Sequence, residues 1–297
     1  MKFYFSVGML PPEQYLPLAK AAEQAGFHGA VVPESIFYPR ETVGEYPYHE
    51  GREFLEGKAF PEPFVAIAAM AAVTERLHFS TFVLKTSARH PLHVAKELFS
   101  VDAFAPGRVT LGAGISPWYE DLVYCGVPWE GRGERLDESI EVINGLQSGE
   151  YFAYEGRHFR FKELKMCPVP KKRIDIIVGG HAKPALRRAV RLGDGWVSAN
   201  VTVEALRGYV RELQTLRREL GTERKPFRIQ TMLSDVPVFS PDGYRTVHEE
   251  LGVEEFIVSP WGVYDIQNMT LETRLGLLQR FGEEVIARDS HRASRSS

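Results

Sequence analysis

Short β-type runs alternate with longer helical patterns along the whole chain, and this alternation limits the possible folds more than any other feature. Eight runs of five to eight residues have the apolar, β-branched and aromatic content of strands, and each precedes a segment with apolar residues at helical spacing. The predicted strands are residues 2–7, 29–33, 77–84, 108–114, 175–179, 195–199, 227–233 and 254–259. Eight strand–helix repeats predict a (β/α)8 TIM barrel, with an open doubly wound sheet as the alternative.

Two segments do not fit the repeat and predict insertions into a single domain spanning residues 1–288. Residues 34–60 are rich in Tyr, Gly, Pro and charge, and a loop of that length in a compact domain is commonly functional. Residues 149–165 alternate tyrosine and phenylalanine as a β-hairpin does. The small, polar residues 289–297 predict a disordered tail.

Composition excludes some partners. The net charge is −3, from 36 basic and 39 acidic residues, so no global field favours nucleic acid or an anionic membrane. No apolar stretch approaches the roughly 18 residues of a membrane span. The two cysteines, Cys125 and Cys167, suit a reducing compartment, and we therefore expect a cytoplasmic protein.

The chemistry of a barrel lies on the loops that follow its strands. After the fourth predicted strand the sequence is GAGISPW, in which Gly112 and Gly114 would let backbone amides approach a ligand. The segment does not complete the pattern GxGxxG, so a Rossmann nucleotide site is not expected. A purely structural turn explains the two glycines equally well.

After the fifth predicted strand the sequence is GGHAKPAL. Gly179 and Gly180 leave the strand, and a helix begins near Lys183 or Pro184. Amides at a helix N-terminus favour a phosphate, and His181 and Lys183 would add donors. A tight strand-to-helix turn is the alternative interpretation.

No metal site is expected. His90 and His93 have the spacing HxxH, but no third ligand lies nearby in the sequence.

Four stretches together resemble the luciferase-like monooxygenase family, in particular its branch that depends on the deazaflavin coenzyme F420. They occur in the family's order and spacing: AAMAAVTERLHFSTFVL, RHPLHVAKELFSVDAFAPGRVTLGAG, GVPWEGRGERLDESIEVI and IVGGHAKPALRRAVRLGDGW. The resemblance implies a bacterial luciferase-like TIM barrel with an inserted segment. It also implies a homodimer and a tricyclic ring held across the strand ends.

The resemblance assigns roles to matching residues. It implies a non-proline cis peptide at Phe82–Val83 behind the ring, where Thr81 also belongs to the cofactor site. It further implies that the ring is lined by Gly112, Gly114, Ile115 and Ser116, and that its phosphate or side chain is held by Gly179, Gly180 and His181. The implied substrate side consists of Trp118, Tyr119 and Glu120.

Glu34 and Ser35 match the position where several deazaflavin-dependent members carry an acidic residue followed by histidine. Glu34 is the candidate general base or a hydrogen-bond partner of the ring, with a helix cap or a loop salt bridge as the alternative. Ser35 is placed beside the cofactor. A serine hydroxyl cannot replace imidazole in moving a proton at neutral pH unaided, so a sugar-phosphate dehydrogenase is not expected.

The resemblance implies two functions, and the absence of the usual histidine leaves a third open. The first is an oxidoreductase that uses F420 to transfer hydride to or from a small organic substrate. The second is a monooxygenase that uses reduced FMN supplied by a separate reductase. The third is a barrel that binds cofactor without turnover. We expect a small-molecule substrate, a homodimer and, as a further partner, a flavin or F420 reductase.

Overall fold

The computed structural model describes residues 1–44, 51–262 and 269–289. Within them the strands are β1 (Lys2–Ser6), β2 (Gly29–Val32), β3 (His78–Thr81), β4 (Leu84–Lys85), β5 (Val109–Gly114), β6 (Phe152–Glu155), β7 (Arg160–Leu164), β8 (Ile176–Gly179), β9 (Gly195–Val201), β10 (Arg228–Leu233) and β11 (Glu255–Val258). β3 and β4 are two parts of one barrel strand, because both pair with β5.

The parallel strands close into a barrel. Starting from β1, the sheet runs in one direction through β2 to β3 and in the other through β11, β10, β9 and β8 to β5. The pairing of β3 with β5, in the register Phe79↔Val109, joins the two ends. The predicted (β/α)8 barrel is therefore confirmed, and the open-sheet alternative is wrong.

The helices cover the outside of the barrel. They are α1 (Tyr15–Gln24), α2 (Pro63–Ala71), α3 (Pro91–Phe104), α4 (Tyr119–Val123), α5 (Arg132–Leu146), α6 (Lys183–Leu192), α7 (Val203–Glu219), α8 (Pro241–Leu251) and α9 (Leu271–Phe281). None of the helices in the described ranges is long and apolar enough to cross a membrane. α4 was not predicted, because a helix of five residues is too short to show a helical period.

Local sequence determines where the helices start. Proline occupies the first turn of α2, α3, α6 and α8, where its missing N–H costs no hydrogen bond. Glu62, Thr202, Ser240 and Thr270 act as N-caps, each accepting a hydrogen bond from a first-turn amide. The residues that precede α6 provide no such cap.

The barrel interior is divided along its axis. Apolar side chains fill its middle, among them Tyr4, Val31, Ile177, Val197, Met232 and Ile257. At the amino-terminal end of the strands, Arg228 forms ion pairs of 2.9 Å with both Glu255 and Asp175. This packing closes one end and leaves the carboxyl end available for a site.

The predicted insertions can be located. β6 and β7 form an antiparallel hairpin within residues 149–165, and Tyr154 Oη on it donates a 2.6 Å hydrogen bond to Glu141 on α5. Residues 34–60 have a short 3₁₀ turn at Glu53–Leu55, and their positions 45–50 lie outside the described residues. The predicted tail also falls outside them from residue 290 onwards; Asp289 pairs with the N-terminal ammonium at 2.8 Å.

Candidate functional site

A cavity of about 710 Å³ opens at the carboxyl ends of the barrel strands. All eight barrel strands or the loops after them contribute to its wall, from Ser6 after β1 to Ser259 after β11. The segment before α2 adds Phe54, Leu55 and Phe60. The volume lies within the range of small-molecule and cofactor sites.

The structure brings most of the residues proposed from the sequence to this wall: Glu34, Ser35, Phe82, Val83, Gly114, Ile115, Ser116, Trp118, Gly179, Gly180 and His181. The wall does not include Thr81, Gly112, Tyr119 or Glu120. Glu120 instead accepts a 2.7 Å hydrogen bond from the amide of Val43, and the Tyr119 ring packs against Trp129. The loops after β5 and β8 therefore converge on one cavity, as the sequence predicted.

Val83 lies against glycines of β5 and β8. The peptide bond Phe82–Val83 is cis, which confirms the predicted conformation. A Cβ at Gly114 would lie 2.5 Å from Val83 Cγ2, and one at Gly179 would lie 2.9 Å from Val83 Cγ1. A Cβ at Gly112 would lie 1.9 Å from the carbonyl oxygen of Thr81. The missing Cβ at each of these glycines makes room for neighbouring protein atoms. The space beside Gly112 is filled by the Thr81 carbonyl and is therefore not available to a ligand.

The loop between β8 and α6 forms one end of the cavity. Gly180 has φ +118°, a conformation that residues with a Cβ rarely adopt, and its carbonyl accepts a 2.7 Å hydrogen bond from Trp196 Nε1. α6 begins at Lys183 without a side-chain cap. Pro184 has no N–H and the Ala185 amide donates to the Ala182 carbonyl at 2.8 Å, so the Lys183 amide is the first-turn donor left for an anion. The Lys183 side chain is 74% exposed, pairs with Glu212 and is not part of the wall.

His181 lies at the same end. Its ring stacks on Tyr209 with 5.2 Å between centroids, and burial lowers the pKa of the imidazole. A lowered pKa keeps the ring neutral at pH 7, so His181 adds no charge to this end of the cavity.

Arg132, the first residue of α5, is a cation in the wall that the sequence did not reveal. Its guanidinium lies over the Trp129 ring, 3.6 Å from the centroid, and donates to the Trp129 carbonyl at 3.2 Å. Its Nε is buried and has no hydrogen-bond partner among the described residues. Burial lowers the pKa of this guanidinium, and an anion beside it would satisfy the unused donor.

Glu34 has a clear structural role. One carboxylate oxygen accepts from Arg89, and the other accepts from the backbone amide of Lys85. Arg89 also lies 3.3 Å from Glu62 and 3.5 Å from Glu97. The structure thus contains the salt bridge that was the alternative to a general base.

A second buried ion pair adjoins the same wall. The Lys85 ammonium pairs with Asp121 on α4, and their side chains are 8% and 2% exposed. Asp121 also accepts from the hydroxyl of Ser116, whose oxygen accepts a 3.0 Å hydrogen bond from the Trp118 amide. Lys85 and Ser116 line the cavity, whereas Asp121 does not. Asp121 therefore holds two wall residues in position from outside the wall.

Unusual backbone conformations also mark this cavity. In the described residues, Met9 and Asn200 are the non-glycine positions with positive φ, +61° and +54°, and both line it. Such conformations cost about 1–3 kcal/mol and cluster at functional sites.

No group of three His, Cys, Asp or Glu within the described ranges could hold a metal ion. His90 serves as the N-cap of α3, where its Nδ1 accepts from the Leu92 amide at 3.3 Å.

The fold and the cavity at its strand ends agree with a family comparison. The family model described as luciferase-like monooxygenase matches residues 7–257. The chain therefore belongs to the luciferase-like monooxygenase family, which confirms the resemblance noted in the sequence and the expectation of an enzyme of this family.

Individual relatives refine this assignment. The chain is 42% identical to an uncharacterised protein of Mycobacterium tuberculosis, over 97% of this chain and 100% of that one. It is 29% identical to an F420-dependent glucose-6-phosphate dehydrogenase of Microbacterium testaceum, over 64% of this chain and 53% of the relative. The crystal structure of a monooxygenase from Streptomyces bottropensis superposes with a TM-score of 0.77 at 19% identity, covering 97% of this chain and 99% of the other.

Proposed function

We propose that the protein is an oxidoreductase that binds the deazaflavin F420 in the cavity and transfers hydride to or from a small, apolar organic substrate. The observation that carries the proposal is a single cavity with an anion-binding end and an apolar wall. A deazaflavin has a phosphate on its side chain and a planar ring, so it presents both kinds of surface. The ring would supply the hydride chemistry, and the protein would orient it and exclude competing reactions.

We place the phosphate of the cofactor at the end of the cavity formed by the loop between β8 and α6. The uncapped start of α6 supplies the backbone N–H of Lys183, and the positive φ of Gly180 shapes the turn before it. Arg132 contributes a buried Nε without a described partner. Each of these donors gains a partner when a phosphate binds, which favours binding.

The apolar wall supports the position of the ring. Val83, Ile115, Val197 and Met232 belong to the wall, and Val83 is held in place by the glycines of two neighbouring strands. A planar ring packed on such a surface loses its contact with water along one face. The opposite face would remain open to the substrate.

Aromatic residues indicate the kind of substrate. Phe54, Phe60, Trp118 and Trp129 line the cavity, and Ser35 occupies the position where an imidazole would serve a sugar-phosphate dehydrogenase. Aromatic walls favour planar or apolar molecules. We therefore propose an apolar substrate rather than a sugar phosphate, although a relative of the chain is a glucose-6-phosphate dehydrogenase.

A cofactor titration tests the proposal. The purified protein is titrated with F420 and, separately, with FMN, while cofactor absorbance and tryptophan fluorescence are followed. We expect saturable binding of F420 that is tighter than binding of FMN. Tighter binding of FMN would favour the monooxygenase, binding without turnover on a broad substrate panel would favour the inactive barrel, and binding of neither would refute a cofactor site.

A matched pair of arginine variants localises the phosphate. Arg132→Met removes a charge-assisted hydrogen bond, which predicts a loss of affinity of about 10-fold or more. Arg160→Met is the control, because Arg160 is an exposed residue of the hairpin that pairs with Glu155. Equal affinities of the two variants would remove Arg132 from the phosphate site.

A further inference from the structure

Lys85 ends the third barrel strand and lies in the cavity wall. It is the one lysine that the described residues place in this wall. Replacing a buried ion pair with apolar residues of similar volume is often neutral or stabilising, so stability alone does not explain a lysine here. Its position suggests a chemical role.

Protein groups hold Lys85 from two directions. Its backbone amide donates to Glu34, and its ammonium pairs with Asp121. An ammonium has three N–H donors, and Asp121 is the partner that the described part of the chain gives it. Donors therefore remain for a ligand in the cavity.

The other titratable groups of the wall are bonded to the protein or assigned to the phosphate by the proposed function. Both carboxylate oxygens of Glu34 accept hydrogen bonds from the protein. Arg132 and His181 line the cavity, and the proposed function assigns them to the phosphate. Lys85 lies two residues from Val83, whose side chain forms the proposed ring surface.

We propose that Lys85 is a catalytic residue that binds the reacting oxygen of the substrate and stabilises negative charge on it. The substrate class is an apolar molecule with a carbonyl group or the corresponding alcohol. Glu34 and Asp121 are positioning residues that fix the backbone and the ammonium of Lys85. This inference rests on the proposed hydride transfer.

The chemistry balances without a further reactant. In the reducing direction the carbonyl carbon accepts a hydride, one proton with two electrons, from the reduced deazaflavin. The π electron pair of the C=O bond moves to the oxygen, which takes a proton from the Lys85 ammonium, and the amine regains a proton from water. A fixed cation beside the oxygen stabilises the charge as it develops. Oxidation of the alcohol follows the same steps in reverse.

The inference is tested with 4-nitrophenol, a planar probe whose phenolate carries an oxyanion and absorbs differently from the neutral phenol. Its pKa when bound to the purified protein without cofactor is read from absorbance against pH. We expect the wild type to lower the probe's pKa relative to water. Lys85→Met should raise the bound probe's pKa by about one unit and weaken phenolate binding about 10-fold.

Asp121→Asn gives the opposite prediction, because it removes the counter-charge and leaves the ammonium. The bound probe's pKa should then fall below its value in the wild type. An ion pair with a purely structural role would be broken by either substitution and would shift the probe in the same direction. Opposite signs therefore separate the two roles.

Three further variants complete the test. Lys85→Met/Asp121→Asn removes both charges, leaves no unpaired buried carboxylate and should return the probe's pKa to its value in water, even if Lys85→Met alone does not fold. Lys165→Met is the control, because Lys165 is an exposed lysine that pairs with Glu150. Arg132→Met should leave the probe's pKa unchanged.

The inference is overturned if the wild type does not bind the probe, if the double variant retains the shift, or if the shift follows Arg132. Failure of the proposed function has a different signature, which is absence of deazaflavin binding in the wild type. The probe is measured without cofactor, so the two failures are distinguishable.

Discussion

Gly114→Ala tests the contact between the glycine loops and Val83. The new Cβ would lie 2.5 Å from Val83 Cγ2, whereas ordinary contacts begin near 3.4 Å, so the side chain or the strand must move by roughly 1 Å. Overpacking of this kind costs about 1–3 kcal/mol of unfolding free energy. Urea unfolding followed by tryptophan fluorescence measures it, because a shift in midpoint at constant slope reports a change in stability.

A double-mutant cycle identifies the contact. Val83→Ala removes the methyl groups that the new Cβ meets, so the double variant should be more stable than the sum of the single effects by about 1 kcal/mol or more. Gly208→Ala is the control: Gly208 lies exposed in α7, a Cβ added there would meet no neighbouring atom within 4 Å, and the change should stabilise by up to about 1 kcal/mol. A Gly114→Ala variant as stable as the wild type, or strictly additive effects, would refute the reasoning.

Three other predictions concern two buried ionisable groups and one glycine. Burial lowers the pKa of His78 from 6.5 to about 3, so the unfolded chain binds the proton first and stability should fall below pH 6.5, by about 2 kcal/mol at pH 5. His78→Gln should reduce the dependence of stability on pH below pH 6.5, measured by urea unfolding at several pH values. A variant whose stability falls as steeply as that of the wild type would contradict the role of His78. Glu34→Gln breaks the ion pair with Arg89 and should lower the free energy of unfolding by about 2 kcal/mol. This loss is below the usual range for a buried pair because Glu62 remains near Arg89. An unchanged midpoint of thermal unfolding would argue against this role of Glu34. Gly180→Ala places a residue with a Cβ at φ +118°, which should lower the free energy of unfolding by about 1–3 kcal/mol and weaken F420 binding. A variant that binds F420 with wild-type affinity would show that this loop is not part of the cofactor site.

The barrel could be predicted because strand and helix periods are local properties of the sequence. Once the eight repeats were assigned, parallel topology placed the loops after β5 and β8 at one end of the molecule. The closure of the barrel depends on the pairing of β3 with β5, which no local pattern specifies. The count of repeats, rather than any single strand, predicted it.

The reason for the glycines could not be predicted. Gly112 matches a ligand-binding loop, but the space beside it is filled by the Thr81 carbonyl, which becomes visible only when two strands are paired. Sequence alone allowed a ligand site and a structural turn equally. The structure gives Gly112 a packing role.

The sequence did not reveal the two cations of the cavity wall, Lys85 and Arg132. Lys85 directly follows the third predicted strand, a position at which chemistry is expected in a barrel. Its partner Asp121 lies on α4, a single turn without periodic apolar residues, so the pair has no sequence signature. Arg132 lies at the start of α5 and looks like one of many surface arginines until the cavity is seen.

A crystal structure of the protein with bound F420 tests the central claim most directly. We predict that the phosphate lies within hydrogen-bond distance of the Lys183 amide at the start of α6 and of Arg132, with the ring packed against Val83. A phosphate at another end of the cavity, or a ring outside it, would contradict the account.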